Sequence, residues 1–463
     1  MIMDIHKEMV TALERQRIAS KVEGNPTAET RIDRINRAIS LLQTNSKILC
    51  EAMSADFGHR SKHQSRMTDI TAAVLPLKHA AKNLRRWMKP EKRSTFPFSL
   101  LGARGEIQYQ ALGVVGVITP WNFPVQLTFS PLAGIFAAGN RIMLKPSEFT
   151  PCTSELIQKL IRCRYDEEEI AVFLGGTDVG NIFSSLPFDH LLFTGSTNVA
   201  KRIMKAAAEN LVPVTLELGG KSPVIIGKNA NIKQSARSIM AGKTLNAGQI
   251  CLAPDYLFIQ ERDKENFLKA SRECITTMYP TLRSNPDYTS VINRNHYERL
   301  NSYVKEAKST GLEVIELNSA DEDFNHQSHY RIPPTLIINP TDDLRVMQEE
   351  IFGPILPIKT YTDIGESLEY INKHARPLGL YYFGNNKEER EKILRETISG
   401  GVTVNDVIMH VTQEELPFGG VGASGMGAYH GYDGFKTFSH GKSVYHQSKL
   451  LAKLTRLLNP PYG

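Results

Sequence analysis

The sequence predicts an α/β protein built on two parallel sheets, with a small β arm. Three observations carry this. Five short apolar strands alternate with helices between Gly113 and Leu218, and the alternation starts again at Ser222. Strands of that kind, apolar throughout and separated by helices, belong to parallel sheets covered on both faces. A chain of 463 residues is also too long for one ordinary core and fits two or three domains.

Residues 3–88 read as helices, because apolar residues recur at three- and four-residue spacing, as in Ile32, Ile35, Ile39 and Leu42. The stretch KPEKRSTFPFSLLGARGEIQYQALGVVGVI breaks that pattern with Pro and Gly and turns to β-type residues, an extended arm leading into a strand. Strands follow at 114–119, 141–145, 171–174, 190–194 and 214–218, with helices at 125–138, 153–164, 177–185 and 197–210. Ligands of such a sheet bind at the carboxyl ends of its strands. The pair Gly219-Gly220 is a plausible hinge. Beyond it lie a strand at 222–226, a helix at 231–245, a strand at 256–260 and a helix at 262–277. Further units fall at 354–360, 363–374, 379–384, 386–398 and 401–405. The last part, PFGGVGASGMGAYHGYDGFKTFSHGKS, is dense in glycine and turns strand-like at 435–439. LLAKLTRLLNPPYG at the end reads as a short amphipathic turn docked on the surface.

Composition excludes several functions. The net charge of +6 arises from 55 basic and 49 acidic residues that are well mixed, with no basic block or basic-aromatic stripe. Nucleic acid is therefore not an expected partner. The five cysteines are odd in number and contain no CxxC, which speaks against a disulfide framework and against a zinc site; no metal is expected. A reducing, cytoplasmic setting fits. No run of 18 apolar residues occurs, so no membrane span is expected, and the charged N-terminus has no apolar signal core.

Several short stretches fall where chemistry belongs. In NAGQICLAPDY, Cys251 reads as a buried filler, a metal ligand or a nucleophile, and those residues alone do not decide. In TPWNFPVQ, Asn122 sits between Trp121 and Phe123 with prolines on both sides; it is a rigidly held oxyanion donor or a local turn residue. In VTLELGGKSP, Glu217 lies in an apolar strand, where burial raises a carboxyl toward neutrality and suits it as a general base, unless it is a structural pair with a lysine. No GxGxxG opens a helix after a strand. Instead Gly195-Ser196 opens one in FTGSTNVAKRIM, a turn able to face a phosphate or simply to cap a helix. Lys145 and Glu148 in LKPSEFTP stand just past a strand end, where a carboxylate accepts from ribose hydroxyls, or form a solvated turn. MQEEIFGPILP adds Glu349 and Glu350 before a Gly-Pro turn.

Taken in order, TPWNFP, LKPSE, FTGST, LELGGKSP, GQxC and EEIFGP resemble the motif set of the aldehyde dehydrogenase superfamily. The resemblance covers essentially the whole chain, most clearly from Val114 through Ser439. It implies a Rossmann-like NAD-binding domain (1–88 and 108–218), a catalytic domain (219–410), and an oligomerisation arm with the C-terminal tail (89–107 and 430–463). It implies that Cys251 attacks an aldehyde, that Asn122 and the Cys251 backbone N–H hold the oxyanion, and that Glu217 activates water. Lys145, Glu148, Gly195, Ser196, Trp121, Glu350 and Phe352 become cofactor contacts, with Glu350 also a candidate base. The cofactor is NAD, because Glu148 repels a 2′-phosphate, with NADP as the alternative. The segment KTFSHGKS and the 90–110 arm pair in a sheet whose edge needs a partner, and a homodimer follows from the resemblance.

CLAPDY, GGVGASGMGAYHG and FKTFSH narrow the resemblance to a compact class 3-like branch, and the N-terminal and arm segments to bacterial coniferyl aldehyde dehydrogenases. Medium- or long-chain aliphatic aldehydes are the rival substrates. A CoA-acylating relative would do without a water-activating base, so Glu217 speaks against it. A binding protein on the same fold would have lost Cys251, Asn122 or Glu217. Two positions depart from the family pattern: Ile250, often Thr, and Ala200, often Gly.

Overall fold

The computed structural model describes residues 2–325 and 327–461. Three sheets organise them. A six-stranded sheet runs in the order Gly425–Met426, Val214–Leu218, His190–Gly195, Val114–Ile118, Arg141–Lys145, Ile170–Val172. All neighbours are parallel except Gly425–Met426, which adds antiparallel to Val214–Leu218. A seven-stranded sheet runs Val314–Glu316, Thr335–Ile338, Ile355–Tyr361, Pro254–Gln260, Ser222–Ile226, Gly379–Phe383, Gly401–Val404, and only Val314–Glu316 is antiparallel.

The physical reason for both sheets lies in their strands. Val114–Ile118, Arg141–Lys145 and Ser222–Ile226 are buried at every position. Such strands need cover on two faces, and the intervening helices supply it. The helix Gln126–Ala138 is apolar nearly all round and sits in the interior, where Phe129, Leu132, Ile135 and Phe136 are buried. The N-terminal helices complete this layer: Ile35, Leu42, Leu77 and Leu84 join the same core.

The third sheet is the arm, antiparallel in the order Glu91–Arg93, Arg104–Ala111, Ser439–His446. The pairing expected between the 90–110 segment and KTFSHGKS is present, with Ser439 opposite Ala111 and His446 opposite Arg104. Arg104–Ala111 spans the boundary drawn at residue 107. The helix Lys449–Thr455 follows the arm and buries Leu451; residues 462 and 463 of the tail lie outside the described residues.

Two expectations need correction. The stretch 435–439 is not a strand: Gly431–Thr437 is a helix, and the strand begins at Ser439. Its aromatic residues look β-like in sequence, but Phe435 and Phe438 pack into the core beside Ile135 and Phe136. Small residues permit that approach, since a Cβ added at Gly134 would lie 3.0 Å from the Gly434 backbone. Between 278 and 353 the chain also forms elements that were not foreseen, including the helix Arg294–Ser309 and the strands Val314–Glu316 and Thr335–Ile338. Leu300, Tyr303, Val304 and Ala307 form the buried face of that helix, a helical spacing obscured by the charged residues around it.

Candidate active site

Parallel strands of one sheet deliver their carboxyl ends to one edge, and the motifs follow from that. Trp121 and Asn122 come just after Val114–Ile118, Lys145 ends the next strand, Gly195 ends the strand on the other side, and Glu217 lies near the end of Val214–Leu218. Cys251 arrives from the second half, between the helix Ile232–Thr244 and the strand Pro254–Gln260. Glu350 precedes Ile355–Tyr361.

Cys251, Glu217 and Glu350 act on one another, and Asn122 reaches the loop that carries Cys251. Cys251 keeps part of its surface accessible, yet the protein packed around it desolvates the thiolate, and the adjacent Glu217 adds repulsion. Both effects push the thiol well above its ordinary value. Glu217 is 1% exposed, and neither carboxylate oxygen finds a donor of ordinary hydrogen-bond geometry. Burial raises it to about 7, offset in part by the facing Cys251 thiol. Glu350 stands close by. Burial, and then repulsion from Asp255 and Glu217, raise it to about 8, while the Gly220 N–H favours its charged form. Its carboxylate lies against Gly219, where a Cβ would come within 2.1 Å of Oε2. Asn122, 3% exposed, donates from Nδ2 to the Gln249 carbonyl at 3.1 Å.

The loop that carries Cys251 is held by a buried amide network. Asn246 donates from Nδ2 to the Asn122 carbonyl at 3.0 Å and the Gln249 carbonyl at 3.2 Å. Gln249 donates to the carbonyls of Asn246 and Ser290 and accepts from the Ile292 N–H at 3.0 Å. Gln64, from the N-terminal helices, accepts from the Asn246 N–H at 3.0 Å. These bonds hold three consecutive left-handed residues, Asn246, Ala247 and Gly248, with φ of 51°, 52° and 74°. In sequence Asn246 is only part of the small and polar surroundings of the cysteine, and Gln249 only a member of the GQxC motif. Their amides are what makes that strained turn tolerable.

The Glu350 segment is held as firmly. Lys221 bonds the Asp255 carboxylate and the carbonyls of Val346 and Glu349, and Asp255 accepts from the Ile351 N–H at 2.9 Å. Neither Lys221 nor Asp255 was foreseen, although both lie within the quoted stretches. Glu349 turns outward to Tyr303, whose hydroxyl donates to it at 2.6 Å. The two residues of the glutamate pair therefore have different surroundings.

The remaining positions line the same sheet edge. Lys145 and Glu148 pair at 2.6 Å. Ser196 caps the helix Thr197–Ala208 without using its side chain in a capping bond. Trp121 meets Phe352 edge-on, with ring centroids 5.4 Å apart, and also packs near His296. Ile250 is buried, as is Ala200 in the helix after Ser196. All five cysteines are free, no cluster of metal-binding side chains occurs among the described residues, and no described helix is long and apolar enough to cross a membrane.

Residues 3–444 match the model of the aldehyde dehydrogenase family. The chain belongs to that family. Among similar proteins, a probable coniferyl aldehyde dehydrogenase of Caulobacter vibrioides is 54% identical, over 99% of this chain and 96% of that protein. A coniferyl aldehyde dehydrogenase of a Pseudomonas species is 50% identical, over 99% of this chain and 94% of the relative. The substrate-bound Staphylococcus aureus AldH superposes with a TM-score of 0.90 at 35% identity, covering 97% of this chain and 99% of that one. The chain is thus an aldehyde dehydrogenase with the α/β fold of its family.

Proposed function

We propose that this aldehyde dehydrogenase oxidises coniferyl aldehyde, or a closely related aromatic aldehyde, to its carboxylic acid, using NAD and the thiol of Cys251. The observation that supports the site is the convergence of Cys251, Glu217, Asn122 and Glu350 from four separate segments. The observation that supports the substrate is that relatives at 54% and 50% identity over nearly the whole chain carry the coniferyl aldehyde name.

The chemistry follows from the arrangement. Cys251 Sγ adds to the aldehyde carbon as its proton is released to solvent through the part of its surface that stays accessible. The aldehyde oxygen becomes an oxyanion. The Asn122 amide has two N–H donors; one serves the Gln249 carbonyl and the other is free for that oxygen, beside the Cys251 N–H. When bound, NAD supplies a nicotinamide that accepts hydride. Cys251 is left carrying an acyl thioester, and Glu217, as the carboxylate, takes a proton from the water that hydrolyses it and passes that proton to the departing Cys251 sulfur.

The sheet edge fits the cofactor. Ser196 leaves the first N–H groups of a 12-residue helix free of side-chain capping, as a phosphate site requires. Nothing lies within 4 Å of a Cβ built at Gly176, at the start of the neighbouring helix Thr177–Ser184. Buried Glu350 Oε1 has no hydrogen-bond donor and suits a ribose hydroxyl. Lys145 and Glu148 would take the adenosine ribose, Gly195 and Ser196 the pyrophosphate, and Trp121 and Phe352 would line the cofactor's path. A structure of Pseudomonas syringae AldA in complex with NAD+, 25% identical with a TM-score of 0.86, supports that cofactor. The pairing of Glu148 with Lys145 softens the repulsion of a 2′-phosphate, so NADP is the alternative.

In this reading residues 1–88 and 108–218 bind the cofactor, 219–410 carry the thiol, and the arm joins two copies in a cytoplasmic homodimer. Among the described residues the strand Ser439–His446 pairs on one side only, and Phe96 and Leu100 of the arm are 72% and 76% exposed. The substrate is tested by kcat/KM with NAD for coniferyl aldehyde, benzaldehyde, hexanal and decanal. Preference for coniferyl aldehyde by about tenfold or more, worth roughly 1.4 kcal/mol in transition-state binding, is the expected result. Preference for decanal would move the enzyme to aliphatic aldehydes.

A further inference from the structure

Residues 60–69 lie outside all three sheets, yet they bond both halves of the site. The short helix Lys62–Ser65 runs straight into a π-helical turn, Arg66–Thr71. Asp69 stands in that turn with its side chain fully buried. Its Oδ1 accepts from the Val125 N–H at 3.1 Å and the Gln126 N–H at 3.2 Å. These donors open the helix Gln126–Ala138, where the first N–H groups have no carbonyl of their own helix to bond. They follow Asn122 by three and four residues. Asp69 Oδ2 pairs with the equally buried Arg60 guanidinium at 2.8 Å, and that guanidinium lies over the Phe123 ring, 5.1 Å from its centroid.

Gln64 works on the other half. Its Oε1 accepts from the Asn246 N–H at 3.0 Å, at the first of the left-handed residues that precede Cys251. Asn246 in turn donates to the Asn122 carbonyl at 3.0 Å. Gln64 and Asp69 are five residues apart, the repeat of a π turn; a regular α-helix would point them to different faces. The wider turn lets one segment reach both loops. Filling the space does not require the charges, since apolar side chains commonly replace a buried ion pair without loss. What the carboxylate adds is a second oxygen: one takes the arginine, and the other accepts two backbone N–H groups.

We propose that residues 60–69 are the positioning element of the oxyanion site, Asp69 fixing the Asn122 loop and Gln64 fixing the turn that presents the Cys251 N–H. The two donors come from different halves of the protein, so neither sheet alone sets their separation. A misplacement of about 1 Å costs up to about a hundredfold in rate. Arg60, Gln64 and Asp69 act through Asn122 and the Cys251 backbone. The effect on rate rests on the oxyanion reading given above; the holding of the two loops does not.

The test compares two double variants that both remove the charges. Arg60→Gln with Asp69→Asn keeps an acceptor oxygen for Val125 and Gln126, and Arg60→Met with Asp69→Leu fills the same space without one. Amide hydrogen exchange of the cofactor-free enzyme is read by mass spectrometry over residues 119–127 and over the strand Ser222–Ile226. The leucine variant should exchange residues 119–127 about tenfold faster than the asparagine variant, with Ser222–Ile226 alike in both. Its kcat should be lower by about tenfold to a hundredfold, with KM within about threefold. Adding Asn122→Ala to it should cost little more, because both changes act on one donor. Equal exchange overturns the proposal, and so does equal kcat when Asn122→Ala on its own is slow. Faster exchange together with normal kcat in Asn122→Ala would sink the oxyanion reading and leave the loop-holding role standing. If neither double variant folds, Gln64→Met carries the test over residues 244–252. Faster exchange there with a lower kcat supports the proposal, and wild-type exchange overturns it.

Discussion

Gly248 rests against the backbone of Gly353: a Cβ at position 248 would lie 2.3 Å from the Gly353 carbonyl oxygen. This contact joins the turn that carries Cys251 to the segment that carries Glu350. Gly248 also has φ of 74°, a left-handed conformation that side chains resist. Position 248 is thus restricted twice, by space and by backbone.

Gly248→Ala therefore separates the two segments. The expected result is a destabilisation of about 2–4 kcal/mol and a fall in kcat of about tenfold or more. Denaturant unfolding and steady-state kinetics check both. Normal kcat in the variant would show that the contact does not set the distance between thiol and carboxylate.

Glu217→Gln addresses the second half of the reaction. An amide at this position cannot take a proton from water, so the expected result is a pre-steady-state burst of NADH followed by slow turnover. The wild-type enzyme should also show an acid limb near pH 7, because the carboxylate forms as pH rises through about 7. Stopped-flow absorbance and a pH profile measure both. Unchanged turnover without a burst would move the base role to Glu350.

Much of this site was legible because its chemistry is local in sequence. Cys251, Asn122, Glu217 and Glu350 each stand in a short stretch whose neighbours fix the backbone, and alternating strands and helices place three of the stretches at sheet edges. The groups that hold the site were harder to see. Lys221 and Asp255 meet across 34 residues, and Gln64 reaches Asn246 across 182. Such pairs have no local spacing to betray them. The strand expected at 435–439 failed for the same reason: Phe435 and Phe438 find their partners on a helix some 300 residues earlier, and local β-type composition does not record that.

Buried carboxyls also leave a mark on stability. Glu217 and Glu350 are raised in the folded state to about 7 and about 8, from an ordinary 4.5. The folded protein then holds protons that the unfolded chain has released, so stability from these groups is full below about pH 4.5 and is lost as pH rises through 7 to 8. Glu217→Gln removes that pH-dependent loss. Its melting temperature relative to wild type should rise between pH 5 and pH 9, by an amount equivalent to up to roughly 3 kcal/mol. Calorimetry at the two pH values checks this. A difference that does not change with pH would place the ordinary carboxylate range on Glu217.

Asn122→Ala removes the amide donor proposed for the oxyanion. The loss should fall on kcat, by roughly 10²–10³-fold, since the interaction strengthens as charge develops on the aldehyde oxygen. The same change unpairs the Gln249 carbonyl from one of its two amide donors, Asn246 remaining as the other. The fold should accordingly lose only about 1 kcal/mol. Kinetics and unfolding on the same preparation separate the two effects. A rise in KM with kcat intact would assign Asn122 to ground-state binding instead.

The arm offers the last test. Phe96 and Leu100 are exposed, and Ser439–His446 leaves one edge without a strand partner among the described residues. A second copy of the arm would cover both features, and apolar area removed from water contributes about 25 cal/mol per Å². The double variant Phe96→Lys, Leu100→Lys places two charges in that contact. It should run as a monomer in light scattering at micromolar concentration, and the wild-type protein is expected at the mass of two chains. Because both side chains are exposed in the single chain, circular dichroism should be unchanged. A wild-type protein that is monomeric at every concentration would leave the arm without its proposed role, and a double variant that still dimerises would put the interface on another surface.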